Sequence, residues 1–560
     1  MIPIKKKSLK TLLFTVSILL IVNAIGSQFF HRFDLTHDQR YTLSKTSLDV
    51  LKNVKEPLYI DVFLEGNFPA EFKRLQSETK QILDEYKAYN PNIIYQFVNP
   101  LENPDEADAV MKSFMERGLT PVNITVDDKG KQSKEVVFPW AIATYKNKST
   151  KLPLLKNHLG ASTEQKVVSS VQHLEYSLTD AFNKITTEKK KKIAVIRGNG
   201  ELDDIFKADF LRTVRDSYYI GAFTLDSVAK NPVKTLKELQ KYDLAIIAKP
   251  KEAFSDQEKQ VLDQFIMNGG KTLWLIENVS IEMENLNKTG SSFAFAFDLG
   301  LNDMFFKYGF RIDPTLVKDM QSVPIALASG NKGNETQYEK YPWFYAPFVL
   351  PNSKHPIVNN IDGIKFDFAN PIDTLKNGIK KTILLQTSPY SKKIGTPVEV
   401  SLKMVNEKPK PEDFPEGGMI PLSVLLEGNF TSVYNNRVLP FKDAGFKAQG
   451  KPSKMIVVSD GDVIKNQLDE HGEPLELGFD KWTNQMYSNK EFLMNCVNYL
   501  LDDNGLINIR SKEVDLPLLD KEKVFENYTY TQFITIGLPL LLLALFGVAV
   551  TYLRKRQFGK

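Results

Sequence analysis

The run Gly198-Asn199-Gly200-Glu201, with Asp203 close behind, follows a short apolar strand, where doubly wound sheets hold their ligands. Glycines at that point would let backbone amides approach a bound group, with Glu201 and Asp203 beside it. The alternative is a tight strand-to-helix turn whose acids stabilise a helix N-terminus. These five residues are the candidates for ligand contact.

Other motifs promise less. Gly269-Gly270-Lys271-Thr272 ends like a phosphate-binding loop, but Phe265 stands where the first glycine is needed. A strand, not a helix, is expected after Lys271, so the pair of glycines reads as a helix C-cap. Asp460-Gly461-Asp462 follows a strand and could hold a cation, yet it lacks a regular series of oxygen ligands; a turn fits it as well. The six histidines have no metal-ligand spacing, and Ser329 lacks the glycine that a nucleophile elbow requires. Tyr341–Phe348 gathers five aromatics, suited to packing in a core or to gripping a sugar or partner. The single cysteine, Cys496, lies on a helical pattern as a small apolar residue. No catalytic residue, metal site or cofactor is expected.

Two α/β units must position these residues. The first, residues 31–187, alternates strand and helix: Leu58–Leu64, Glu71–Tyr89, Ile93–Val98, Glu106–Arg117, Val122–Val126, a hairpin through Asp127–Gly130, and Glu164–Ile185. Before them Ser44 is placed to cap a short helix. The order βαβαββα is thioredoxin-like, but without Cys-x-x-Cys it serves as a scaffold. A charged linker at 188–192 leads into the second unit, 193–511. There the strands Ile193–Arg197, Ala222–Leu225, Leu244–Ala248 and Thr272–Ile276 alternate with helices, which implies a doubly wound parallel sheet. Later strands, among them Ile420–Leu426 and Met455–Ser459, add partly to that sheet, and the helix Asn489–Leu501 packs back on it.

Two charge-free apolar segments, 11–30 and 533–553, bracket these units, and each is long enough to cross a bilayer. Lys5, Lys6, Lys7 and Lys10 precede the first; Arg554, Lys555, Arg556 and Lys560 follow the second. Positive flanks stay in the cytoplasm, so the tails 1–10 and 554–560 are expected inside and the region between them exported, tethered through 512–532. Ala24 and Gly26 would suit a cleavable signal, but the apolar run continues through Phe29 and Phe30, which favours a retained anchor. The 72 basic and 68 acidic residues give a net charge of +4; without the eight flanking cations the balance is 64 to 68, which argues against a nucleic-acid surface.

The juxtamembrane run Arg32-Phe-Asp-Leu-Thr-His-Asp-Gln-Arg-Tyr-Thr-Leu-Ser44 resembles the opening of gliding-motility-associated ABC transporter auxiliary proteins of the GldG type, from Bacteroidota. Ile193–Glu201, Val457–Asp462, Asn489–Leu501 and the terminal anchors agree with it. The resemblance implies a two-pass inner-membrane protein with a large periplasmic domain, working with a separate ABC permease and a cytoplasmic ATPase. That family is often labelled substrate-binding, and its second domain looks like a glutamine-amidotransferase-type sheet; no nucleophilic cysteine stands in the corresponding half here. The expected function is a non-enzymatic auxiliary subunit. A periplasmic enzyme acting on envelope glycan or peptide, and a structural scaffold of envelope machinery, are the alternatives.

Overall fold

A computed structural model describes residues 3–28, 34, 42–128, 131–156, 158–332, 335–414, 418–512 and 521–558. Contacts divide the chain into Met1–Lys512 and Glu513–Lys560. Most of the juxtamembrane run 32–44 lies outside the described residues, as do Phe29, Phe30 and residues 513–520 of the tether.

The chain opens with helix α1 (Pro3–Gln28), whose described apolar stretch is Lys10–Asn23. Helix α2 (Lys45–Leu51) then begins at Ser44, whose hydroxyl accepts the Ser47 amide as an N-cap at 3.2 Å. Strand β1 (Leu58–Val62), α3 (Ala70–Tyr89) and β2 (Ile93–Phe97) form a parallel βαβ unit. After α4 (Ala107–Glu116) the chain forms β3 (Val122–Asp128), β4 (Lys131–Val137), β5 (Trp140–Tyr145), β6 (Lys148–Pro153) and α5 (Thr163–Thr186).

The sheet order is β2-β1-β5-β6, while β3 and β4 pair only with each other. The expected strand at 122–126 is therefore present but stands outside the main sheet. Its place beside β1 is taken by β5, whose Ala141 and Ala143 are fully buried, a close approach that larger side chains would prevent.

The second sheet is built from β7 (Lys192–Arg197), β8 (Tyr219–Thr224), β9 (Leu244–Ala248), β10 (Lys271–Leu275), β11 (Lys380–Gln386), β12 (Pro421–Thr431) and β13 (Gln449–Val458). Its order is β11-β12-β13-β10-β9-β7-β8. The five strands from β13 to β8 are mutually parallel; β12 runs against β13, and β11 against β12. Helices α6 (Ala208–Ser217), α7 (Pro232–Leu239), α8 (Asp256–Met267) and α9 (Asn489–Leu501) cover the two faces.

Alternation along each strand decides the layering. Ile193, Ile246 and Ile456 join Phe210 of α6 and Cys496 of α9 in one core. Ala194, Ile247 and Trp274 join Leu236 of α7 and Phe265 of α8 in the other. Each fully buried large side chain contributes about 1.5–3 kcal/mol.

Helix α8 shows how local sequence fixes its ends. Ser255 and Glu258 form a capping box at its start. Gly269 adopts φ +97° just past its end, and a Cβ at Gly270 would lie 2.4 Å from the Phe265 ring. The two glycines therefore cap a helix and admit a packed phenyl ring, and β10 follows at once.

Beyond β10 a lobe of short strands contains the long hairpin Ser322–Lys332/Glu335–Val349. Trp343 and Tyr345 from the aromatic run are buried in its core at 1% and 2% exposure, so that run packs the interior.

A charged network joins the first unit to the second. Glu491 Oε1 on α9 lies 2.8 Å from Lys156 Nζ and 2.9 Å from Arg510 Nη2, and the Arg510 guanidinium sits over the Tyr176 ring of α5. Burial alone would raise the Glu491 carboxyl, but the two cations hold it at about 2. Burial brings the Lys156 amine down to about 8 against the pull of Glu491.

Among the described residues of Glu513–Lys560, one apolar helical stretch, Tyr528–Arg556, runs for 29 residues, and its most apolar part is unburied. It includes a π turn at Phe533–Gly537 and then α10 (Leu538–Phe558). The widened turn stands directly before Pro539, which cannot donate a helical hydrogen bond.

Candidate functional site

All five parallel strands end at the same edge of the sheet, so the residues just after them converge there. The turn after β7 is the one marked out by sequence. Gly198 has φ +123°, and a Cβ there would fall 2.9 Å from Asp226 Oδ1. Gly200 has φ +69°. Asn199, 3% exposed, is held from all sides: its amide donates to Glu201 Oε2 at 2.8 Å, and its carbonyl accepts from the Lys251 and Glu252 amides, both at 2.9 Å. Its side chain reaches Glu258 of the α8 capping box at 3.4 Å.

Asn199 Oδ1 and Glu201 Oε1 are buried without a hydrogen-bond partner. Burial pushes the Glu201 carboxyl up, partly offset by the backbone amides it accepts from. Asp203 is exposed, just before the 3₁₀ turn Asp204–Lys207. The structure thus brings Gly198–Glu201 together at the sheet edge and leaves Asp203 at its rim.

A second group sits after β9, β10 and β13. Lys249 is the first residue past β9 and has φ +54°, a left-handed conformation costly for a side chain of this kind. It is 1% exposed, and its Nζ lies 2.6 Å from Asp462 Oδ2, 3.1 Å from Glu282 Oε2 and 3.2 Å from Glu277 Oε1. Gly461 allows the close approach, because a Cβ there would lie 2.5 Å from Lys249 Cβ. Lys251 reaches Glu282 at 2.8 Å and so connects this group to the Asn199 turn.

Asp460 is fully buried, accepting the Asp462 and Asp367 amides, both at 2.7 Å. Carboxylate oxygens of Glu277, Asp460 and Asp462 all lie within 4.8 Å of one another.

Crowded acids cannot all ionise, and their environments sort them. Burial, reinforced by Asp462 and Glu282, pushes Glu277 up to about 8 despite Lys249. Burial and the neighbouring Asp462 and Glu277 push Asp460 well above the carboxylate range. Burial would also raise Asp462, but Lys249 and Lys465 hold it down. Lys249 is kept cationic by Asp462, Glu277 and Glu282 against burial, so its amine is not available as a nucleophile. The ammonium occupies the centre of the acids as their internal counter-ion. Three carboxylates around an ammonium do not make the six or more oxygen ligands that a hard cation takes.

Sequence reasoning singled out Asp460 and Asp462 but missed Lys249, Glu277 and Glu282. The signal was there. Each follows or lies just beyond a parallel strand that the sequence marks clearly, but the strand order that brings these loops together is not written locally.

The profile of a family described as an ABC-type uncharacterized transport system matches residues 190–496, more than half of this chain. A domain of unknown function matches residues 37–144. An uncharacterized protein of Borreliella burgdorferi is 21% identical over 562 residues, covering 99% of each chain. Among solved structures, the mmIFT52 N-terminal domain gives a TM-score of 0.32 at 15% identity, over 59% of this chain and 100% of that one. A ThuA-like protein from Parabacteroides merdae gives 0.26 at 11% identity, over 60% and 94%. Both likenesses are too slight to identify a fold. The match across 190–496 covers the second sheet, its carboxyl-edge residues and the first part of α9, and the chain belongs to that family of ABC-type transport-system auxiliary proteins.

Proposed function

We propose that this chain is a non-enzymatic, membrane-anchored auxiliary subunit of an ABC transporter complex associated with gliding motility, with its α/β units in the periplasm. The family match over residues 190–496 carries the reading, since it supports an accessory role in transport. The helix Tyr528–Arg556, ending in Arg554, Lys555 and Arg556, supports a membrane anchor with a cytoplasmic C-terminus. The apolar stretch of α1 serves as the second anchor in this two-pass reading, and the first unit as a thioredoxin-like scaffold. The gliding association rests on the juxtamembrane resemblance.

The chemistry at the carboxyl edge fits a non-enzymatic part. Lys249 is held as a counter-ion and Asp460 as a buried acceptor of backbone amides, so both are spent on the fold. Gly198–Glu201, with Asp203 at the rim, is the proposed contact for substrate or an envelope partner. Partners are a separate permease and a cytoplasmic ATPase. Purification from native membranes in mild detergent tests this: co-recovery of both is expected, and recovery of this chain without either overturns it.

A further inference from the structure

A cleft of about 200 Å³ lies at the opposite edge of the second sheet, between its amino ends and the first unit. Its walls come from α2 and α5 of the first unit, the linker 188–191, the end of α6, and α9 with the residues that follow it. Clefts between folded units are a common place for small ligands, and drug-sized ligands need about 300–1,000 Å³. The space here is that of a single small ring.

The lining mixes apolar surface, from Val50, Leu501 and Ile507, with charges of both signs. Lys184 is held by Asp180 at 2.7 Å, and Lys191 by Asp503 at 2.7 Å. Asp502 accepts the backbone amides of residues 504–507. Glu188, Lys189, Lys190 and Asp216 complete the charged lining, so four lysines face five acids and neither sign dominates.

What remains is neutral hydrogen-bonding capacity. Tyr218 Oη donates to Asn498 Oδ1 at 3.0 Å, and Asn498 Nδ2 donates to Tyr176 Oη at 3.3 Å, leaving the Tyr176 hydroxyl hydrogen to give. Ser217 Oγ is buried and has no partner. Burial raises both phenols, so they stay neutral donors at any physiological pH.

Two aromatic rings, a primary amide, a free hydroxyl and compensated ion pairs within one small cleft match a ring that bears several hydroxyls. Such a ligand gives and takes hydrogen bonds at every corner, presents apolar C–H faces to the tyrosines, and adds no charge. From this geometry we infer that the interdomain cleft binds a neutral, monosaccharide-sized polyol. A ligand there touches both units and the linker at once, so its occupancy would be felt by both.

Saturation-transfer NMR on the full chain in detergent, with D-glucose and N-acetylglucosamine as probes, tests the inference. Glucose 6-phosphate and glucosamine serve as charged comparators. Binding of at least one neutral sugar is expected, with Tyr176→Phe and Tyr218→Phe each weakening it about fivefold, the effect of one lost hydrogen bond. Ser217→Leu, which fills the cleft, should abolish it. Failure of both neutral sugars to bind overturns the inference, as does binding unchanged in Ser217→Leu and Tyr176→Phe. Stronger binding of either charged comparator overturns the neutral class. Co-recovery with a permease and an ATPase is read independently, so the two proposals can fail separately.

Discussion

Lys249 Nζ lies 2.6 Å from Asp462 Oδ2, and this pair, 213 residues apart in sequence, ties the end of β9 to the loop after β13. Around it the same ammonium also meets Glu277 and Glu282, so one lysine balances acids from the segments after β10 and β13.

Removing that lysine should cost much more than removing a surface charge. Lys249→Ala leaves buried carboxylates uncompensated, and a loss of about 3–5 kcal/mol is expected. Urea unfolding of the purified protein, followed by tryptophan fluorescence, measures it. A loss below about 1 kcal/mol, the scale of an exposed pair, would contradict the counter-ion role.

Glu277 predicts a pH dependence of definite sign. Its folded carboxyl sits at about 8 against an ordinary 4.5, so between those values the folded state holds a proton that the unfolded chain has lost. Its contribution to stability is complete below 4.5 and is lost as pH rises through 8. Glu277→Gln, which cannot ionise, should remove that part of the slope. Unfolding curves for both proteins across this range provide the check, and parallel slopes would refute it.

Glu491 has the opposite sign. The Lys156 and Arg510 cations hold it at about 2 against an ordinary 4.5. Its stabilising effect is present above 4.5 and fades as pH falls towards 2. Glu491→Ala leaves two buried cations without their shared partner, with an expected cost of about 3–5 kcal/mol. Because the group joins the two units, protease cleavage in the linker 188–191 should quicken in the variant.

The turn after β7 separates a backbone requirement from a side-chain one. Gly198→Ala meets both the positive φ and the Asp226 carboxylate, and a loss of about 1–3 kcal/mol is expected. Glu201→Ala and Asp203→Ala bear on ligand contact instead. Transport or gliding should fall in these variants while assembly with the membrane partners persists; full activity in both would dismiss the contact.

Much of this architecture is legible in the chain because the signals are local. Apolar runs such as Leu244–Ala248 announce buried parallel strands, Ser44 announces a helix start, and Gly269-Gly270 announces a helix end. The strand at Tyr219–Thr224 begins three residues before the expected 222, since Tyr219 and Ile220 already pair with Lys192 and Ile193. Pairing choices are less legible. Nothing local in 122–128 says that β5 will take the place beside β1, because that is decided by alanines some twenty residues later. The Lys249 group was hidden for a similar reason. Its members lie on separate loops, and each alone is an ordinary charged residue after a strand.

The shared role of Lys249 also limits how this edge can change over generations. Loss of the lysine strands its acids, and loss of a single acid alters the balance for the others, so one-at-a-time replacement passes through unstable intermediates. The lysine and its three acids are inherited or exchanged as a set. A descendant that freed this edge for new chemistry would have to replace lysine and acids together, with apolar residues of similar volume closing the space.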